Sequence, residues 1–367
     1  MAKLELDGIC KGYDRPIIDR LSLTVEEGEF FVIVGPSGIG KTTLLRCIAG
    51  LEVLDAGRVL FGGKDVTRVP PYRRNAAMTF ESYALYPHMT VYENIASPLR
   101  ARKVEKAAIE KAVTDVARLL RIEQLLDRRP HEVSGGQKQR TALGRTLVAK
   151  PDVFLLDEPI SHLDAKIRHE LRRQFHTLQE LRRVATIYVT HDYAEALSLG
   201  DRIGVMGNGG LVQIGSAREV FERPCNIFVA RHLGQPSINE VACRIADSGG
   251  QVTLQSASGS FAFAAGGAQR GLLQNARGNV LVGIRPQHVR VANEATTGQI
   301  ADAKVEAFEA LGASGVLIAE VGGIALTVLT SPEDEYEPGQ PIRLAFDVDQ
   351  FLYFDPAHGT NLHTKAA

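Results

Sequence analysis

The sequence predicts an α/β domain followed by a smaller all-β domain. Three observations carry this reading: short apolar runs that each end in polar residues, a glycine-rich loop between one such run and an apolar helix, and a change of texture after "GQPSINE" at 234–240. A chain of 367 residues with 44% hydrophobic content can build a sizeable core in each part, given the usual ~100–200 residues per domain.

Residues 1 to about 235 alternate strand and helix patterns, as an α/β domain does. The buried strands are "FFVIVG" at 30–35, "DVFLLDE" at 152–158 and "ATIYVT" at 185–190. Polar residues at their carboxyl ends place the chemistry where open α/β sheets bind ligands. Between the first two of these strands, "KAVTDVARLLRIEQLL" has apolar residues at helical spacing and predicts an inserted helical subdomain over about 87–150, its charged part at 103–150. The Arg and Lys residues there read as a solvated face. From 236 to 367, runs such as "QVTLQS", "NVLVGIRP" and "PIRLAFDVDQFLYF" are separated by Gly, Ala and Ser clusters. They predict a β domain of small-barrel type, with a hairpin through Gly322-Gly323.

The glycine-rich loop is "GPSGIGKTT", made of Gly35, Pro36, Ser37, Gly38, Ile39, Gly40, Lys41, Thr42 and Thr43. It matches G-x-x-x-x-G-K-[ST] in the context the motif requires, a strand before and an apolar helix after. Gly35, Gly38 and Gly40 let the backbone curl until consecutive N–H groups point inward, and the helix adds the positive end of its dipole. A triphosphate suits that cradle. Lys41 supplies a cation for the β- and γ-phosphates, and the Thr42 hydroxyl is placed to hold Mg2+. A turn that merely joined strand to helix would need neither.

"VFLLDEP" at 153–159 ends an apolar strand in two carboxylates, which is costly unless a cation or a polarised water sits there. Asp157 suits the Mg2+ shell, and Glu158 suits orienting or deprotonating an attacking water. Asp-Glu-Pro alone is as often a strand-ending turn; paired with the phosphate loop it reads as a site. His191, in "YVTHDYAEA", follows a third strand and is expected at the γ-phosphate edge, although a lone His is usually structural.

Ser134, Gly135, Gly136 and Gln137 carry the ingredients of a second anion cradle: a hydroxyl, two flexible residues, and a helix expected to begin near Gln137. This loop has no Lys or acidic partner of its own. It makes sense as half of a site completed by another subunit, in a symmetric pair that closes on two ATP molecules at one isologous interface.

Together these residues resemble the ATP-binding subunits of ABC transporters. "VSGGQKQRTALGRTL" is similar to the family's signature sequence, and the phosphate loop, "FLLDEP", "SHLDA" and "VTHD" stand in the family's order. "SYALYPHMTVYENIASPLR", "VLVGIRPQHV" and "FLYFDPAHGTNLH" resemble the maltose-type subgroup of carbohydrate importers, so the likeness covers nearly the whole chain. It implies ATP and Mg2+ as cofactors and ATP hydrolysis coupled to import of a sugar, a polyol or a glycerol derivative. It also implies that Tyr13 stacks on adenine, that Asp164 lies in the loop linking the two ATP sites, and that His191 is the switch histidine. By the same likeness "YALYPHMTVYENI", with Tyr83, Tyr86 and Tyr92, receives a coupling helix of a membrane subunit. The C-terminal domain is then similar to the subgroup's oligonucleotide-binding-like regulatory domain.

The implied partners are a second ATPase subunit, identical or paralogous, two transmembrane permease subunits and an extracytoplasmic solute-binding protein. The implied location is peripheral, on the cytoplasmic face of the cell membrane. The chain departs from the family at Glu81, where a Gln usually faces Mg2+, at His162 in place of Asn, and at Tyr193 in place of Gln. Glu81 keeps an oxygen for the metal but adds a charge. It therefore supports a second reading, a weakly hydrolysing subunit paired with a paralogous motor.

Composition narrows the alternatives. With 42 Lys and Arg against 43 Asp and Glu, no global charge attracts nucleic acid or an anionic membrane. No nucleic-acid partner is expected, which leaves a soluble ABC-type ATPase acting on nucleic acid as the weaker alternative. Cys10, Cys47, Cys225 and Cys243 lack metal-ligand spacing and read as reduced core thiols. The charged N-terminal stretch is not expected to be a signal peptide, and no apolar run approaches the ~18 residues of a spanning helix.

Overall fold

The computed structural model describes residues 3–80, 82–161, 163–176, 183–248, 251–257, 259, 261–265, 270–275 and 278–363. Glu81 and His162 lie outside the described residues. Contacts divide the chain into two units, Met1–Arg218 and Glu219–Ala367.

The first unit opens with two long strands, β1 (Leu4–Gly12) and β2 (Pro16–Val25). Burial alternates over Leu21–Val25, the period-2 pattern of a strand with one face in the core. They join β4 (Ala56–Phe61) and β5 (Lys64–Asp65) in an antiparallel sheet of order β2-β1-β4-β5. Between them in sequence come β3 (Phe30–Val34) and the helix α1 (Lys41–Ala49).

The second sheet has the order β10-β9-β3-β8-β7-β6. Its strands are β6 (Ala76–Thr79), β7 (Val153–Asp157), β8 (Ala185–Thr190), β9 (Arg202–Gly207) and β10 (Gly210–Gly215), besides β3. β3, β7 and β8 are buried at every residue, as strands of a parallel sheet covered on both faces must be. These are the three apolar runs the sequence singles out. β6, "AAMT", has neither the length nor the apolarity to announce itself, yet it pairs parallel with β7.

Three helices are inserted between β6 and β7: α2 (Val91–Ala101), α3 (Lys106–Leu119) and α4 (Gly135–Leu147). Thr90 and Glu93 close a reciprocal capping box that starts α2. α3 buries Ile109, Val113 and Ala117, a stripe at four-residue spacing. Two further helices, α5 (Ala165–Phe175) and α6 (Tyr193–Leu199), follow β7 and β8.

The short helix α7 (Ala217–Glu222) spans the division between the units, and α8 (Ile227–His232) follows it. Within the second unit the backbone N–H of Ile227 donates to the Gly359 carbonyl at 2.8 Å. The Arg285 guanidinium donates to the carbonyls of Leu233 and Phe221 at 2.6 and 2.5 Å and lies 3.7 Å from the centroid of the Phe221 ring. Burial pulls its pKa down to about 10.

The β strands of this unit form two five-stranded antiparallel sheets. The first contains β11 (Asn239–Ser248), β12 (Gln251–Ser256), β13 (Ala262–Ala264) and β14 (Asn279–Ile284). The second contains β15 (Val289–Val291), β16 (Gln299–Ala310), β17 (Gly315–Val321), β18 (Ile324–Thr330) and β19 (Pro341–Phe346), while β20 (Leu352–Phe354) returns to the first. One apolar core takes Leu254, Phe263 and Val282 from one sheet and Val305, Leu317 and Leu344 from the other. β17 and β18 turn through Gly322 and Gly323 with φ of 57° and 83°, the two left-handed positions of a tight hairpin turn. Cys47 and Cys243 are free and buried, with thiol pKa values pushed up by burial to about 11 and about 12.

Because Arg285 and Gly359 hold residues 221, 227 and 233, a fragment ending at Gln235 would keep 219–235 without the partners that order them. We expect fragment 1–235 to aggregate earlier in a thermal scan than fragment 1–218. Equal melting and solubility would assign residues 219–235 to the first unit.

Candidate active site

The phosphate loop leaves β3 at Gly35 and enters α1 at Lys41. Gly38 and Gly40 have φ of 75° and 110°, and a Cβ on Gly40 would lie 2.6 Å from Ile17 Cγ2. A Cβ on Gly35 would lie 2.6 Å from the Met206 carbonyl oxygen, so both positions require glycine. Ser37 and Gly38 form the exposed rim, and Pro36, Ile39, Thr42 and Thr43 are half-buried. The Lys41 ammonium, on a residue only 6% exposed, donates to the carbonyls of Gly35 and Pro36 at 2.8 and 2.9 Å.

Tyr13 sits in the turn between β1 and β2, 58% exposed, with the Lys11 ammonium 5.0 Å from its ring centroid. Ile17 touches Gly40, so this turn lies beside the phosphate loop.

Asp157 ends β7 almost fully buried, and the Thr42 hydroxyl donates to its Oδ1 at 3.2 Å. A hydroxyl and a carboxylate that converge in this way are hard oxygen donors of the kind Mg2+ accepts. Its backbone N–H donates to Thr79 Oγ1 at 2.9 Å, fixing the end of β7 against β6.

Glu158 has φ of 45°. Left-handed backbone costs a residue with a Cβ about 1–2 kcal/mol, and it persists where neighbours over-determine it. Here its N–H donates to the Val189 carbonyl at 3.1 Å, and its carbonyl accepts from Gln139 Nε2 at 2.9 Å and from Ser161 Oγ at 3.1 Å. The side chain thus reaches His191, whose Nδ1 is 2.9 Å from Oε2.

His191 stands on a buried polar network that sequence reasoning missed. Glu195 is 1% exposed, and its Oε2 accepts from the hydroxyls of Tyr188 and Thr190 at 2.7 and 2.9 Å. Thr190 Oγ1 in turn accepts from the Asp192 backbone at 2.9 Å, and Asp192 Oδ1 caps α6. Burial raises the Glu195 carboxyl above its ordinary value.

The second cradle is a helix start of its own. Ser134 Oγ accepts from the Gln137 N–H while Gln137 Oε1 accepts from the Ser134 N–H at 2.8 Å, a capping box. The helix therefore begins at Gly135 rather than near Gln137: the cap fixes the first turn, and the two glycines occupy positions whose N–H groups are unbonded in any helix. Asp164 likewise caps α5, Oδ1 accepting from the Ile167 N–H at 3.0 Å. Asp157, Glu158 and His191 thus stand at the ends of β7 and β8, Lys41 and Thr42 open α1 after β3, and Ser134–Gln137 and Asp164 start α4 and α5.

The segment with Tyr83 and Tyr86 is pinned from two sides. The Arg145 guanidinium donates to the carbonyls of Ala84 and Tyr83 at 2.7 and 3.1 Å and lies 5.6 Å from the Tyr86 ring centroid. Fully buried Asn94 donates through Nδ2 to the carbonyls of Tyr86, Met89 and Thr90. Nothing in the spacing of Asn94, Arg145, Gln139 or Glu195 sets them apart from surface residues of a helix.

The raised carboxyl of Glu195 fixes a pH dependence. The folded chain keeps this proton above pH 4.5 while the unfolded chain loses it, so the group favours folding progressively less as pH rises from 4.5 through its folded value. Glu195→Gln removes the titration. Its melting temperature relative to the natural chain is expected to climb over that interval and then level; a difference that stays constant with pH would mean the carboxyl is already ionised.

Comparison with known proteins agrees with this geometry. Residues 18–161 match the ABC transporter family and residues 282–354 the TOBE domain. The trehalose/maltose import ATP-binding protein MalK of Thermococcus litoralis is 42% identical over 93% of this chain and 94% of its own length. The sn-glycerol-3-phosphate import ATP-binding protein UgpC of Ruegeria pomeroyi is 40% identical over 99% of both. A dimeric structure of a bacterial ABC transporter cassette is 27% identical with a TM-score of 0.55, covering 59% of this chain and 99% of that one. The same cassette in a post-hydrolysis state bound to ADP and Pi aligns equally well. With a phosphate loop, a buried Asp157 and a Glu158–His191 pair in one row, and relatives of this identity along its whole length, the chain belongs to the ABC transporter family as one of its ATP-binding and ATP-hydrolysing import subunits.

Proposed function

We propose that the chain is one of two motor subunits that energise uptake of a sugar, a polyol or a glycerol derivative. The names of its relatives, importers of trehalose/maltose and of sn-glycerol-3-phosphate, support this solute class. The observation that carries the motor reading is the Glu158–His191 pair beside the Thr42–Asp157 contact. Lys41 exchanges its bonds to the Gly35 and Pro36 carbonyls for phosphate oxygens, and Tyr13 stacks on the base. Glu158 orients the attacking water or takes its proton, and His191, bonded to the same carboxylate, holds it at the phosphate edge.

Mg2+ fits the donor set, with Thr42 and Asp157 as its protein oxygens. Among the described residues no group of three or more His, Cys, Asp or Glu is arranged to hold a metal. Phosphate oxygens and water would complete such a shell, the usual arrangement for a cation that keeps its waters. Held by Thr42 and Asp157, the ion would supply charge neutralisation at the phosphates. From the family resemblance alone, Glu81 is proposed as a further oxygen of this shell.

Ser134–Gln137 and Asp164 serve the partner motor in this reading, supported by the dimeric cassette the chain resembles. No helix among the described residues is long and apolar enough to cross a membrane. Two permease subunits, fed by an extracytoplasmic binding protein, would hold the motor at the cytoplasmic face through the segment pinned by Arg145 and Asn94.

Glu158→Gln is expected to reduce ATPase activity about 100-fold or more, the lower range for loss of a general base, and to accumulate an ATP-bound dimer in gel filtration. A variant that stays monomeric in saturating ATP, even beside its permease, would sink the shared-site reading. Glu81→Gln is expected to flatten the dependence of ATPase activity on free Mg2+ and raise the maximal rate. Superimposable curves would remove the support for the weak-motor alternative.

A further inference from the structure

Helix α4 holds two functional parts on one rigid element. Its N-terminal turn is the Ser134–Gln137 cradle, and Gln139, 4% exposed, sends its Nε2 to the Glu158 carbonyl at 2.9 Å. That carbonyl belongs to the residue with left-handed φ of 45°, which also precedes Pro159, a position that favours extended backbone. The other bonds to the Glu158 backbone come from Val189 on β8 and from Ser161 in the same loop. Among the described residues, Gln139 is the one partner supplied by the inserted helices.

The other end of the Gln139 amide makes the point. Its Oε1 is buried and makes no hydrogen bond. A buried acceptor without a donor is destabilising, and an apolar side chain of the same length would avoid that cost. Stability alone therefore does not explain a glutamine here, whereas its donated bond acts on a strained residue that carries the carboxylate facing His191.

We propose that Gln139 is a positioning residue that makes the aim of Glu158 depend on the placement of α4, and hence on whether the cradle at its N-terminus holds a phosphate. The proposal rests on the shared-site reading above. Ser134 and Gln139 lie within about one and a half turns of one helix, so a displacement at the cradle reaches the Glu158 carbonyl undiminished. Capture of the partner's nucleotide by one subunit then sets the base of that same subunit's own site. Each site gates the other, and the coupling is reciprocal for binding.

The test uses the full chain. Gln139→Met keeps the length and removes the donor. It is expected to lower kcat at least 10-fold while KM for ATP and the Kd of a fluorescent ATP analogue change less than about 2-fold, with no loss of melting temperature. Ser134→Ala is expected to cost less kcat in the Gln139→Met background than in the natural chain, because the link it acts through is already cut. Should the Met variant fail to fold, Gln139→Asn, which keeps the amide but cannot reach the carbonyl, is expected to give the same pattern. A natural kcat in these variants, or additive effects of the Ser134 and Gln139 substitutions, would overturn the proposal. Glu158→Gln combined with Gln139→Met should still dimerise in ATP. If Glu158→Gln alone does not dimerise, the shared-site reading has failed, independently of Gln139.

Discussion

The active site depends on the parallel register of three buried strands. Val34 of β3 pairs with Thr190 of β8, and Asp157 of β7 pairs with Val189. The three strands therefore stop at one level, and the phosphate loop, His191 and the Asp157–Glu158 pair emerge side by side. With strands about 4.8 Å apart, three neighbouring ends span only about 10 Å, the scale of a triphosphate and its attacking water. A slip of one residue in β7 would move Asp157 away from Thr42 and turn a carboxylate into the apolar layer. The parallel register and the continuous apolar content of these strands together hold the candidate catalytic groups in line.

Much of this site was legible because its chemistry is local in sequence. Asp157, Glu158 and His191 stand at or just after the end of an apolar run, and Lys41 and Thr42 close a glycine-rich loop that follows one, so strand and candidate site are read in one stretch. The antiparallel sheet was hidden because one of its pairings is distant: Leu6 of β1 meets Val59 of β4, with β2, β3 and α1 between them in sequence. The start of α4 was misplaced because two glycines look like loop, whereas the reciprocal Ser134–Gln137 cap decides where the helix begins. Gln139, Glu195 and Arg145 were invisible for a third reason. A polar residue on a helix is ordinarily solvated, and only the packed fold shows that these three point inward.

Buried polar groups of this kind recur as pins for irregular backbone. Arg285 binds two carbonyls in the C-terminal unit, Arg145 binds two in the Tyr83 segment, and Gln139 binds that of Glu158. In each case a side chain satisfies carbonyls that no helix or sheet ladder can reach. The chain thereby keeps non-repetitive segments ordered without lengthening its regular elements.

The clamp of Arg145 and Asn94 on residues 83–90 also bears on kinetics. Tyr83 and Ala84 are held with φ of 64° and 44°, a shape that a free loop would seldom visit. In the docking role proposed for this segment, a partner would meet a surface already shaped by these bonds and would not have to wait for a rare conformer. Association at such a face is governed by diffusion and orientation, and discrimination between partners falls to how fast a poor fit lets go.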